Sequence, residues 1–179
     1  MARHLNTLNL IVIRIGVDFG GTKIEAAALD QQGRILARIR APNPGGYDAA
    51  VATVRDLIAQ TEQQVGPARS VGVGAPGSPS PRTGLIRNAN STWLNGRPFQ
   101  QDLETALGRP IKLANDANCL ALSGAIDGAG TGFPTVFAAI LGTGCGGGVV
   151  VGGALLEGAN GIGGEWGHTP LPWPPTPSD

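Results

Sequence analysis

The chain has 179 residues, of which 41% are hydrophobic and 15% charged, so it can form one cored domain and part of another. Thirteen Lys and Arg residues balance thirteen Asp and Glu residues, and this zero net charge gives no electrostatic reason to expect a nucleic acid or membrane partner. Two cysteines without paired spacing are typical of a reduced, cytoplasmic protein. The apolar run at residues 8–13 is too short to span a membrane.

The apolar pattern predicts strands and helices in a regular order. Three strands come first, with a hairpin turn at Asp30–Gly33 between the second and the third. A long helix follows, and its apolar face is predicted to consist of Val51, Val54, Leu57, Ile58 and Val65. The predicted elements are strands Leu10–Asp18, Lys23–Leu29 and Arg34–Arg40, helix Asp48–Val65, strand Ser70–Gly74, helix Pro98–Leu107, strand Ile111–Ala114, helix Asp116–Ile126, and a hairpin of Thr135–Leu141 with Val149–Val151.

This order resembles the ribonuclease-H-like α/β domain, the unit that is duplicated in actin, Hsp70 and the hexokinases. The closing hairpin would then begin a second domain of the same kind. We therefore predict an N-terminal domain at residues 10–118 and the beginning of a second, nucleotide-binding domain at residues 119–179. Fold order by itself does not give a function, so the candidate sites have to supply one.

A glycine loop is predicted between the first two strands. Gly20 and Gly21 allow a sharp turn that presents backbone N–H groups to an anion. Thr22 and Lys23 can add a hydroxyl group and a cation for phosphate oxygens, and Asp18 can hold Mg²⁺ directly or through water. An ordinary hairpin turn with a surface lysine is the alternative.

A second glycine segment contains five glycines in the seven residues 142–148, between two apolar strands. A phosphate that approaches the backbone would explain them, and a flexible hairpin tip is the alternative. Residues 72–77 and 142–147 both fit G-x-G-x-x-G, but neither segment opens a helix. A dinucleotide-binding Rossmann site is therefore disfavoured.

Two further segments carry polar side chains. Asp116 opens the third predicted helix at the end of a strand, where its carboxylate could accept a proton or could cap the helix. Glu165 and His168 lie in a glycine-rich loop, where they could bind a ligand or be ordinary surface residues.

Together these segments resemble the signature blocks of the ROK family of bacterial sugar kinases, from about residue 13 to residue 173. The blocks are Asp18–Lys23, Asn115–Asn118, Leu141–Gly148 and Gly164–His168. Within the family, the segment Asn88–Gly96, together with Leu113–Cys119 and Glu165–Trp173, is most similar to the fructokinase/mannokinase branch.

The resemblance implies an ATP- and Mg²⁺-dependent transferase that phosphorylates fructose or mannose, at the 6-hydroxyl group. A glucokinase or N-acetylhexosamine kinase of the same family is the alternative. A non-catalytic, sugar-responsive ROK regulator is less favoured, because only about nine residues precede the first predicted strand.

The resemblance also implies a role for individual residues. Asp116 would be the general base, and the sugar would be bound by Asp116 with Gly77, Asn115, Glu165 and His168. The phosphates of ATP would be bound by Asp18, Gly20, Gly21, Thr22, Lys23, Gly142, Thr143, Gly144 and Gly146, with magnesium at Asp18.

In the family, a histidine at the position of His168 commonly binds a structural zinc ion with three cysteines that follow it. No cysteine follows Cys145 here, so zinc is expected only where those downstream cysteines are present. We expect the 179-residue chain to be incomplete and inactive, and the full-length form to be a cytoplasmic homodimer.

Overall fold

The structure is a computed structural model that describes residues 12–142 and 145–167. Three groups of three consecutive strands are separated by helices. The strands are β1 Arg14–Phe19, β2 Lys23–Leu29, β3 Ile35–Pro42, β4 Ser70–Ala75, β5 Ser78–Pro79, β6 Ile86–Arg87, β7 Lys112–Asn115, β8 Thr135–Leu141, β9 Cys145–Val151 and β10 Ala154–Leu155. The helices are α1 Tyr47–Val65, α2 Phe99–Leu107 and α3 Asp116–Ile126, with a short 3₁₀ turn at Thr92–Leu94.

The predicted order of elements is confirmed, and the bounds of β2, β8 and α3 agree residue for residue with the prediction. Most of the other ends agree or differ by one or two residues. The first strand was predicted to begin at Leu10 and begins at Arg14. Residues 10 and 11 of the predicted strand lie outside the described residues. The larger error concerns β9, which begins at Cys145 and not at Val149.

The main sheet has the strand order β3-β2-β1-β4-β7. Its first three strands form an antiparallel meander, in which Val17 lies opposite Ala26 and Ala26 lies opposite Ile39. The turn between β2 and β3 is the predicted one, because Gly33 adopts a φ of 78° and donates its N–H to the carbonyl of Asp30. Positive φ at this position is why glycine stands there.

The chain divides into two compact units. The first extends to Val73 and includes Phe99–Leu113. Helix α1 packs on β2 and β3 in this unit, and its buried face consists of Ala50, Val54, Leu57, Ile58 and Thr61. Val51 and Val65, which the prediction placed on the same apolar face, are only half-buried. Ala50 and Thr61 lie closer to the centre of the helical face.

The second unit consists of Gly74–Pro98 and the chain from Ala114 onward. Helix α3 packs against β8 and β9, the strands of a three-stranded sheet with the order β10-β9-β8. The domain boundary proposed at residue 118 stays a prediction.

The outer strand of the main sheet carries an ion-pair cluster. Glu25 on β2 contacts Arg38 at 3.3 Å and Arg40 at 2.6 Å on β3. The hydrogen bond from Arg40 lowers the pKa of Glu25; desolvation opposes this effect, and the positive charges of Arg38 and Arg40 add to it. These pairs link the two strands on their solvent-facing side.

Within residues 12–142 and 145–167, no helix combines the length and the apolar character that crossing a bilayer requires.

Candidate functional site

The first glycine segment is a tight loop between β1 and β2 in the first unit. Gly20 donates its N–H to the carbonyl of Lys23 at 2.9 Å, which closes the turn. A Cβ atom added at Gly21 would have no neighbour within 4 Å, so open space lies on that side of the backbone. Asp18, Thr22 and Lys23 are exposed. The loop therefore offers backbone N–H groups, a hydroxyl group, a cation and a carboxylate to a ligand in solution.

Asn43 holds this loop from the end of β3, and the sequence did not predict it. Its side-chain Nδ2 donates to the carbonyl of Gly20 at 2.8 Å, and its backbone N–H donates to the carbonyl of Thr22 at 2.9 Å. Its Oδ1 accepts the N–H of Gly45 at 3.0 Å, which forms an Asx turn. Asn followed two residues later by Gly was the local signal for that turn, but nothing local indicated the contact with the loop.

Aromatic side chains pack against Phe19, the residue that precedes the loop. Phe19, at the end of β1, is buried and packs edge-on against Phe99 at a centroid distance of 5.1 Å. Phe99 in turn contacts Tyr47, whose hydroxyl group donates to Asp102 at 2.6 Å. Edge-to-face contacts of this kind favour one ring orientation, so the residue before the first glycine is well fixed.

The N-terminus of α3 lies in the second unit, and its N-cap residue is Asn115. Its Oδ1 accepts the N–H groups of Ala117 at 2.9 Å and Asn118 at 3.2 Å. Its Nδ2 donates to the carbonyl of Gly77 at 3.0 Å. Asn115 thus joins the helix start to the loop after β4, and the alternative in which Asp116 is the N-cap does not hold.

Asp116 is the first residue of α3 and is half-buried. Its Oδ1 accepts the N–H of Ala117 at 2.8 Å. Asp116 therefore places a carboxylate at the start of α3, and a carboxylate is a group that can accept a proton.

The loop at Gly77 is held by close contacts. Gly77 has a φ of 76°, and a Cβ atom there would lie 2.5 Å from the carbonyl oxygen of Arg87 and 2.9 Å from the N–H nitrogen of Ala89. Asn95 binds both backbone groups of Ala89, accepting from its N–H at 2.9 Å and donating to its carbonyl at 3.1 Å. Asn88, which lies between Arg87 and Ala89, has a φ of 57°, a conformation that asparagine tolerates better than most residues. Only glycine fits at position 77.

The second glycine segment is mostly strand and not loop. Gly146, Gly147 and Gly148 lie in β9 opposite Ile140, Ala139 and Ala138. A Cβ atom at Gly148 would lie 2.8 Å from the carbonyl oxygen of Ala117 and 2.9 Å from the Cβ of Ala121, both on α3. A Cβ atom at Gly147 would lie 2.6 Å from the carbonyl oxygen of Gly164. Two of these glycines are therefore explained by close packing, and a bound phosphate is not needed to explain them.

Gly146 lies beside two other predicted site residues. A Cβ atom there would be 3.7 Å from the Cβ of Ala117 and 3.7 Å from a carboxylate oxygen of Glu165. The carbonyl of Gly146 accepts the indole N–H of Trp166 at 2.8 Å, and Glu165 Oε1 accepts the N–H of Gly167 at 3.2 Å. The second unit thus brings together the start of α3, β9 and the loop that carries Glu165.

Three predicted site residues, Thr143, Gly144 and His168, lie outside the described residues. In the part of the chain that the structure covers, no group of three or more His, Cys, Asp or Glu side chains could hold a metal ion. The predicted zinc site at His168 therefore has no support among the described residues, and the magnesium role of Asp18 stays a prediction.

The comparisons with known proteins agree with this fold and this set of segments. Residues 14–178 match the ROK family, and the chain belongs to that family. An N-acetyl-D-glucosamine kinase of Citrobacter koseri is 43% identical over 158 residues, which are 88% of this chain and 52% of that protein. The chain thus spans about half the length of the curated relatives that it matches.

Solved structures give the same result. A ROK family glucokinase from Streptomyces griseus, in complex with glucose and AMPPNP, matches with a TM-score of 0.79 and 34% identity over 89% of this chain and 51% of that chain. A ROK hexokinase from Thermus thermophilus matches with a TM-score of 0.76 and 36% identity over 86% of this chain and 52% of that chain. The predicted α/β fold of the actin and hexokinase type is confirmed.

Proposed function

We propose that the protein containing this chain transfers a phosphoryl group from ATP to a hydroxyl group of a hexose. Membership of the ROK family and the similarity to an N-acetylglucosamine kinase and a glucokinase support this proposal. We propose N-acetylglucosamine or glucose as the substrate. Fructose and mannose, inferred from the segment Asn88–Gly96, are less well supported by these relatives.

The observation that carries the proposal is the position of Asp116. Asn115 supplies the helix cap, so the carboxylate of Asp116 is not required for that purpose. The start of α3 is joined to the Gly77 loop by Asn115, and Gly146 lies beside both Ala117 and Glu165. Asp116 thus stands between two residues that lie next to segments proposed to bind the sugar, and we propose that it accepts the proton of the attacking hydroxyl group.

The other parts of the reaction need binding and orientation more than covalent chemistry. We assign the phosphates of ATP to Gly20–Lys23 and to Gly142–Gly146, and Mg²⁺ to Asp18, directly or through water. ATP supplies the phosphoryl group, and Mg²⁺ neutralises the charge of the phosphate oxygens. The lack of steric obstruction at Gly21 supports this assignment, since a phosphate can approach the backbone there.

The homodimer, the cytoplasmic location and the role of His168 stay predictions for the longer protein.

The test is a measurement of ADP release with a panel of hexoses. It is made on a longer form of the protein that includes the half of its relatives' length that this chain does not span. We expect kcat/KM for N-acetylglucosamine or glucose to exceed that for fructose and mannose by at least about tenfold, the factor that one good hydrogen bond in a site provides. A preference for fructose or mannose would leave the kinase activity but reject the proposed substrate. No sugar-dependent ADP release with any hexose would reject the proposed function.

A further inference from the structure

We propose that Asn43 is a positioning residue that orders the phosphate loop, Gly20–Lys23, before ATP binds. The proposal rests on the proposed function, because it assigns ATP to that loop. Asn43 lies about twenty residues from the loop in sequence and directly follows β3, whose last residue, Pro42, pairs with Lys23.

Asn43 uses its backbone and both side-chain polar atoms at this place. Two of its hydrogen bonds go to the loop, to the carbonyls of Gly20 at 2.8 Å and Thr22 at 2.9 Å. The third, from the N–H of Gly45 to Oδ1 at 3.0 Å, fixes the orientation of the amide group. Because Oδ1 is engaged as the acceptor, Nδ2 is the atom that faces Gly20.

The hydrogen bond to the carbonyl of Gly20 also sets the direction of the next N–H group, that of Gly21. In a trans peptide, the carbonyl of one residue and the N–H of the next point in opposite directions. When Asn43 holds the carbonyl of Gly20, the N–H of Gly21 must point away from Asn43. Asn43 therefore fixes the direction of this backbone donor, which on our proposal binds a phosphate oxygen. The Cβ side of Gly21 has no atom within 4 Å, so a ligand can approach the loop there.

A loop that is ordered in advance binds more tightly, because less conformational entropy is lost on binding. Without the Nδ2 donor, the peptide between Gly20 and Gly21 is free to rotate, since glycine permits many backbone conformations. We therefore expect the loss to appear in nucleotide binding and to leave hexose binding unchanged.

The decisive variant is Asn43→Asp. It keeps the backbone bond to Thr22 and the acceptor for Gly45, but replaces the donor to Gly20 with a carboxylate oxygen. Asn43→Ser serves as a second variant, which keeps an acceptor for the turn without the charge. Asn95→Ala is a matched control, because Asn95 binds two backbone groups of Ala89 in the other unit and should alter hexose binding.

The measurements are the Kd of Mg·AMP-PNP by calorimetry, the KM of ATP and of the hexose, and the Tm of each preparation. We expect Asn43→Asp and Asn43→Ser to weaken AMP-PNP binding and raise the KM of ATP by about tenfold or more, with the hexose KM within about twofold. A residue that only ends β3 would lower the Tm and leave the AMP-PNP affinity unchanged, and that result would overturn the proposal.

The binding measurement separates this proposal from the proposed function. If the longer protein without substitutions binds Mg·AMP-PNP but phosphorylates no hexose, the proposed function fails. The AMP-PNP affinities of the Asn43 variants then still decide the role of Asn43. If the parent protein binds no nucleotide, both fail.

Discussion

The two glycine segments have similar composition but different structural roles. At Gly20–Lys23 the backbone forms a loop, and the side of Gly21 where a side chain would lie is unobstructed. At Gly146–Gly148 the backbone is a paired strand, and a side chain on Gly148 would meet α3. We propose that glycine in the first segment allows a ligand to approach the backbone, whereas glycine in the second segment allows α3 to pack closely against β9.

The difference shows that a high glycine content alone does not identify a phosphate site. The second segment still contributes to the proposed site, because the close approach of α3 to β9 fixes the helix whose first residue is Asp116.

The largest effect is expected from Asp116→Asn in the active, longer protein. The amide keeps the size of the side chain but cannot accept the proton, so kcat should fall by about 10²–10⁴-fold. Since Asn115 is the cap, the Tm should hardly change. The matched control is Asn115→Ala, which should lower stability by about 1 kcal/mol through loss of the cap. If kcat of Asp116→Asn stays within about threefold of the parent, well short of that range, Asp116 is not the base.

Gly148→Ala should destabilise the chain itself. The new Cβ atom would lie 2.8 Å from the carbonyl oxygen of Ala117 and 2.9 Å from the Cβ of Ala121, so α3 or β9 has to move. Overpacking of this kind costs about 1–3 kcal/mol, to be measured by urea unfolding. An unchanged unfolding midpoint would show that β9 does not need a glycine there.

Gly21→Ala is the counterpart in the first unit. No atom lies within 4 Å of the added methyl group, so stability should change by less than about 0.5 kcal/mol. If phosphate approaches this side of the backbone, the same methyl group should weaken Mg·AMP-PNP binding. If the Gly21→Ala variant unfolds more easily but binds AMP-PNP normally, Gly21 serves packing and not ligand binding, and the proposed difference between the two segments is wrong.

The smallest effect concerns pH. The hydrogen bond from Arg40 lowers the pKa of Glu25 from its usual value of 4.5, so this group stabilises the fold above that pH. The contribution is lost as the pH falls through the lowered value. Glu25→Gln should therefore be less stable than the parent at pH 7, by less than about 1 kcal/mol because both arginines are half exposed to solvent. The difference should shrink at 1 M salt, because salt screens the ion pairs. It should also shrink as the pH falls below 4.5, and a difference that grew on acidification would be inconsistent with this ion-pair cluster.

Much of the fold could be predicted because apolar periodicity is a local signal, and it placed β2 and α3 correctly. The start of β9 could not be predicted. Consecutive glycines usually indicate a loop. Here their small size allows α3 to pack against β9, and this tertiary contact cannot be read from the local sequence.

The helix cap and the loop contact illustrate two other limits. Asn115 and Asp116 are both good capping residues, and the choice between them depends on β7 ending one residue later than the pattern indicated. Asn43 meets the phosphate loop across the β2–β3 hairpin, and no local pattern in one sequence reports a contact at that separation.

The outermost strands of the two larger sheets differ in their protection against unwanted pairing. Strand β3 ends one sheet with Arg38 and Arg40 pointing to solvent, and such charges discourage another chain from adding a strand. Strand β8 ends the other sheet with no charged residue from Thr135 to Leu141, and its side chains of Phe137 and Leu141 are 55% and 73% exposed. During refolding at high concentration, aggregation of this chain should therefore begin at β8. Ala139→Lys should suppress the light scattering that accompanies it, whereas an added lysine on β3 should not.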